Sequence, residues 1–204
     1  MRKIVTISRE YGSGGRIIGR MVAEKLGVPF YDKELIDMAA EKSGLSKEIV
    51  ETAELRAKGA FSYSFASAMT FSEGMMVEPM SMNDKLFLTQ FEVIRQIGET
   101  DEGVIVGRCA DYVLRDLPNV TNVFICAEME DRVRRCVHQY GVPEDKVNKV
   151  IKDYDKARQN YYNYHTSQKW GYYGNYNLSI NSSYITDEHA ADMIVTFVNM
   201  RHYR

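Results

Sequence analysis

The run Ile4-Val5-Thr6-Ile7-Ser8-Arg9-Glu10-Tyr11-Gly12-Ser13-Gly14-Gly15-Arg16 decides the fold. Ile4 to Ile7 is a β-branched stretch of the kind that fills a buried parallel strand. A glycine-bearing loop follows. Residues 16–26 then carry apolar side chains at 17, 18, 21, 22 and 26, a helical spacing with Gly27 as its stop. A strand, a tight glycine loop and a helix start form an anion site, because successive backbone N–H groups converge and the helix N-terminus adds partial positive charge. The candidate phosphate ligands are therefore the backbone groups of Gly12, Ser13, Gly14, Gly15, Arg16 and Ile17.

The standard loop, GxxxxGK[ST], is not met. With Gly14 as its second glycine, Arg9 stands at the first-glycine position, Gly15 at the lysine and Arg16 at the hydroxyl. Arg16 would supply positive charge one position late. Ser13 would supply a hydroxyl one turn early, as a candidate Mg²⁺ ligand.

Outward from the loop, residues 28–32 read as a second strand and 33–42 as a second helix. The opening is thus β–loop–α–β–α, the unit of parallel α/β sheets. Residues 44–58 suggest a helical hairpin. Residues 59–83 are rich in Phe, Ser and Met without a clean period, and are expected to form an irregular or partly helical excursion, either mobile or at an interface such as that of a homodimer. A strongly amphipathic helix spans 84–98, with Leu86, Phe87, Phe91, Ile94 and Ile97 on one face. Strands are expected at 103–108, 122–127 and 178–181, and helices at 130–140, 144–164 and 187–198.

Composition narrows the partners. The chain has 204 residues, 45% of them hydrophobic and 26% charged, with a formal net charge of -2. This balance gives no support for a nucleic-acid or membrane-surface partner. No apolar run approaches the ~20 residues of a membrane span. Cys109, Cys126 and Cys136 lack CxxC spacing, so free thiols in a reducing compartment are expected, and the N-terminus has no secretory pattern. These readings point to the cytoplasm.

Four separated segments resemble the cytidylate-kinase-like proteins. They are Ile7 to Arg16, Leu26-Gly27-Val28-Pro29-Phe30-Tyr31-Asp32-Lys33-Glu34-Leu35-Ile36, Val104-Ile105-Val106-Gly107-Arg108-Cys109-Ala110-Asp111-Tyr112, and Asn175-Tyr176-Asn177-Leu178-Ser179-Ile180-Asn181-Ser182-Ser183. The resemblance implies a single domain over 1–204 with the three-layer P-loop NTPase fold, a parallel sheet of about five strands flanked by helices. It also implies an acceptor-side insertion at about 44–83 and a lid-like region at about 130–175. ATP as donor, Mg²⁺, and CMP or dCMP as acceptor come with it. Arg108 matches the arginine that holds the acceptor phosphate in a Gly-Arg-Asp turn, whose aspartate position is Cys109 here. Asp32 matches an acceptor-side aspartate. A tyrosine-arginine pair expected soon after it falls near Asp37 and Met38, so that acceptor contact is missing. The comparable lid arginines are Arg132, Arg134, Arg135 and Arg158.

Arginine suits phosphoryl transfer because it offers a permanently charged, bidentate fork. Arg16, Arg108, Arg132, Arg135 and Arg158 are the catalytic candidates. Each also has a structural reading: Arg108 in a salt bridge, Arg132 and Arg135 as a face pairing with Glu128 or Asp131, Arg158 as a partner of Asp155, and Asp32 as a helix cap. The aromatic stretch from Tyr161 to Tyr173 either stacks a base or packs a loop onto the domain. The histidines of the chain, His138, His165, His189 and His202, show no ligand spacing. Two other functions compete with a nucleotide kinase: a non-catalytic nucleotide- or anion-binding module that has lost the lysine, and a kinase for a non-nucleotide metabolite.

Overall fold

The computed structural model describes residues 3–32, 34, 35, 37, 38, 42 and 82–201. The hairpin expected at 44–58 and most of the Met-rich stretch lie outside the described residues. Five strands form one all-parallel sheet in the order β2-β3-β1-β4-β5. They are β1 Ile4–Arg9, β2 Phe30–Tyr31, β3 Gly103–Val106, β4 Val120–Cys126 and β5 Leu178–Asn181. Helices α1 Gly15–Leu26, α2 Met82–Thr100, α3 Ala110–Val113, α4 Met129–Tyr140, α5 Val147–Thr166 and α6 Asp187–Met200 accompany it.

The sheet is buried on both faces, as parallel sheets require. Alternation along β1 sends Val5 and Ile7 to one side, where they join Ile18 and Val22 of α1 and Ala191, Ile194 and Val198 of α6. Ile4 and Ile105 face the other side with Val93, Ile94 and Ile97 of α2 and Val113 and Leu114 near α3. The one polar side chain within Ile4–Ile7, Thr6, is 2% exposed and donates from Oγ1 to Asn122 Oδ1 at 2.7 Å. Three layers result.

β1 lies between β3 and β4, with register Ile7↔Val106 on one side and Ile7↔Val123 on the other. The chain leaves β1 toward the β2–β3 edge and later returns to β4. That switch in direction opens a crevice beyond the strand C-termini, where open α/β sheets bind ligands. The Gly12–Gly15 loop and the Gly107–Arg108 turn both sit at this end. No described helix is long and apolar enough to cross a membrane.

Candidate functional site

Left-handed glycines shape the loop between β1 and α1. Gly12 has φ 84° and Gly14 φ 79°, values a side chain would strain, and Gly14 caps α1. The first intrahelical bond runs from Ile18 N–H to Gly14 O at 3.0 Å. The N–H groups of Gly15, Arg16 and Ile17 therefore precede the helical ladder and point out of its end.

Several elements fix the loop. Glu10 N–H bonds to Ile125 O at 3.0 Å, and the Glu10 carboxylate accepts from Ala127 N–H at 3.1 Å. Tyr11 N–H donates to Asp155 Oδ1 at 2.7 Å, and the Tyr11 ring stacks on Tyr154 at 4.2 Å. The Ser182 hydroxyl donates to Ser13 O at 2.7 Å. The result is a preorganised cradle with a cavity of about 260 Å³, lined by Arg9, Glu10, Tyr11, Gly12, Gly14, Gly15, Arg16, Ile17, Tyr140 and Arg158.

Cations gather around it. Arg16 Nε donates to Asp32 Oδ2 at 2.5 Å, and Arg9 Nη2 lies 4.0 Å from the other Asp32 oxygen. Arg158 Nη1 donates to Arg9 O at 3.0 Å, 3.9 Å from Asp155, with its guanidinium over the Tyr11 ring. Burial holds the Arg158 guanidinium below the usual arginine range, with Arg108 and Arg132 adding to the effect. Arg9 is pushed down to about 9, first by burial and then by the charge of Arg158, while Asp32 opposes the shift. Arg108 occupies a left-handed conformation, φ 58°, between Gly107 at 79° and Cys109 at 55°. Such conformations cost of order 1–3 kcal/mol each for residues with side chains and concentrate at functional sites.

The structure thus brings together the Gly12–Ile17 backbone, Arg16, Asp32, Arg108 and Arg158. Of the candidate side chains, Arg16 and Arg158 line the cavity and Asp32, Arg108, Arg132 and Arg135 do not; Arg132 and Arg135 abut the loop itself, where a Cβ on Gly12 would meet Arg132 and one on Gly14 would meet the Arg135 guanidinium. Arg132 is 5% exposed; it pairs with Asp155, lies 3.4 Å from Glu10, and donates from Nε to Tyr11 O at 2.8 Å. Arg135 makes a bidentate pair with Asp187 at 2.6 and 2.9 Å. The expected partners are engaged differently: Asp131 pairs with Arg134, and Glu128 accepts from Asn181. Ser13 is fully buried and donates its hydroxyl to Glu10 O at 2.9 Å.

Among the aromatics, Trp170 and Tyr176 pack on Phe124 with centroids at 5.6 and 4.9 Å, whereas Tyr173 is 75% exposed. His165 stacks on Phe87 at 4.0 Å, and burial lowers it to about 4. All three cysteines are free. Arg9, Glu10, Tyr11 and Tyr140 line the cavity without having been among the candidates from the sequence. Arg9 had a signal, its place at the first-glycine position; Tyr140, at the end of α4, had none.

This architecture is the P-loop NTPase fold. A family model described as the cytidylate kinase-like family matches residues 4–184. The chain belongs to that family, which supports a phosphotransferase activity. An uncharacterised protein from Eubacterium ventriosum is similar over 98% of this chain and 100% of its own, with 28% identity and a TM-score of 0.73. A shikimate kinase from Bacteroides thetaiotaomicron has 13% identity, coverage of 97% of this chain and 99% of its own, and a TM-score of 0.55. A sugar kinase from Janibacter sp. has 14% identity, coverage of 98% and 96%, and a TM-score of 0.53. Those two share the fold alone. No curated protein matches.

Proposed function

We propose that this protein transfers the γ-phosphoryl group of ATP to CMP, dCMP or a related small acceptor. The observation that carries this reading is the convergence of a preformed loop with Arg16, Arg108 and Arg158 at one end of β1 and β3. Phosphoryl transfer requires positioning and positive charge around the equatorial oxygens rather than covalent chemistry from the protein. The Gly14–Ile17 backbone and Arg158 would hold the donor phosphates. Arg108, on its strained turn, and Asp32 would orient the acceptor. The Asp32 carboxylate already holds Arg16 in place from the acceptor side.

Mg²⁺ would neutralise phosphate charge in this reaction. Oxygen donors suit it, and it keeps several waters, so phosphate oxygens would be its main ligands. Ser13 donates its hydroxyl proton to Glu10 O, which leaves the oxygen lone pairs for the ion, but the residue is fully buried, so it would meet Mg²⁺ only from inside the loop. Arg132 and Arg135 act by holding the loop to α5 and α6. Three free thiols and the balanced charge support a cytoplasmic setting.

One observation favours the binding-module reading: glycine stands at the lysine position and arginine at the hydroxyl position. ADP release measured with Mg²⁺-ATP against CMP, dCMP, UMP, AMP, shikimate and no acceptor separates the two. Acceptor-dependent ADP release that is lost in Arg108→Ala supports the kinase. ATP binding without turnover on any acceptor would sink it in favour of the module.

A further inference from the structure

Gly15 stands where the standard loop has its lysine, and Arg9 where it has its first glycine. The two positions are neighbours in space. A Cβ on Gly15 would lie 2.6 Å from Arg9 Cβ and 3.1 Å from Arg9 Cγ. These are the stiff, near atoms of the arginine, which cannot swing aside as its tip could. The lane by which a side chain would leave position 15 is filled by the stem of Arg9.

The Arg9 guanidinium continues toward the acceptor side. Nη1 packs against Gly107, where any Cβ would strike it, and Nη2 lies 4.0 Å from Asp32. The charges acting on it are Arg158, Arg108 and Arg16 against the single carboxylate of Asp32. Even pushed down to about 9, the guanidinium stays protonated at pH 7. A cluster so rich in positive charge, opening on the loop cavity, suits a polyanion.

We propose that Arg9 is the relocated cation of the phosphate loop: first glycine and lysine have exchanged places, and Arg9 contacts a phosphoryl oxygen between the cradle and the Gly107–Arg108 turn. This rests on the phosphotransferase reading. It has a sharp corollary. Restoring the lysine alone must harm the site, because its Cβ collides with Arg9. Restoring it together with Arg9→Gly reopens the lane.

Calorimetric titration of the full chain with tripolyphosphate and with ATP tests this, alongside melting curves. Arg9→Met should weaken tripolyphosphate binding about tenfold or more, the scale of one charge-assisted hydrogen bond. Gly15→Lys should also bind weakly, and the Arg9→Gly/Gly15→Lys double variant should regain most of the loss. Arg9→Lys keeps stem and charge, and its near-normal binding is the expected result should Arg9→Met fail to fold. Arg9→Met binding like the wild type, Arg9→Lys binding no better than a chain without the charge, or a folded double variant no better than Gly15→Lys, overturns the assignment while leaving the kinase reading intact. Wild-type protein that binds neither ligand overturns both.

Discussion

Arg132→Met is the substitution whose cost follows most directly from the structure. It removes the cation shared by Glu10 and Asp155 and the donor to Tyr11 O, leaving Glu10 with Ala127 N–H and Asp155 with Tyr11 N–H and the more distant Arg158. Breaking a buried pair by deleting one partner costs about 3–5 kcal/mol. Glu10 and Asp155 keep side-chain exposures of 25% and 19%, so partial hydration places the loss near ~3 kcal/mol. In a chain of this size that is a fall of roughly 6–12 °C in Tm. The loss should also depend on pH with a definite sign. Burial raises the Glu10 carboxyl above 4.5, while Ala127 N–H and Arg132 pull it down, and the variant lacks the second of these restraints. A carboxyl raised in the folded state binds more protons there than in the unfolded chain, so it weakens folding as pH rises above 4.5 through its folded value. The deficit of Arg132→Met is therefore largest at neutral pH and shrinks toward pH 5. Urea denaturation of both proteins at pH 5 and pH 7.5 measures it. A deficit under ~0.5 kcal/mol at pH 7.5, the scatter of ordinary surface changes, or one that grows on acidification, refutes the reasoning.

Asp111 makes a second pH-dependent contribution: it is 5% exposed, accepts from Tyr162 Oη at 2.6 Å, and burial pushes its carboxyl from 3.8 up to about 6. Wild-type stability should accordingly fall between about pH 4 and 7, by an amount on the order of 3 kcal/mol, and Asp111→Asn should flatten that fall; equal slopes in the two proteins would show that Asp111 does not cause it. Gly12→Ala should cost about 2 kcal/mol or more, because φ is 84° and the new Cβ meets Arg132 O and Cys136 Sγ at 2.9 Å. Gly27→Ala is its control: φ is 69° but nothing lies within 4 Å, so thermal melts should show only the smaller left-handed cost of about 1 kcal/mol. Equal losses in the two variants would mean that the tight fit of Gly12 against α4 carries no energy.

Local signals in the sequence carried the elements, and long-range ones did not. β5 occupies residues 178–181 as expected, and the helix expected at 84–98 is the core of α2. α5 begins at Val147 rather than 144, because the residues after Pro143 form a turn closed by Lys146 N–H to Pro143 O at 3.0 Å. The four-residue α3 is too short to show a period. Arg132 and Arg135 share a helix face as their spacing says, yet their partners lie 23 and 52 positions away, out of reach of any i±3 or i±4 rule. Arg9 and Gly15 are the instructive case, since both departures from the standard loop were visible in the sequence while their complementarity was not. That complementarity is steric, so it binds every family member with this loop geometry. A chain with any side chain at position 15 has to carry glycine at position 9, and a chain with arginine at 9 has to carry glycine at 15. An alignment of the two columns across the family decides the matter. Two pairings should dominate: glycine at 9 with lysine at 15, and arginine at 9 with glycine at 15. A substantial class with arginine at 9 and lysine at 15 would show that the lane admits both stems, and the exchange of roles would fall with it.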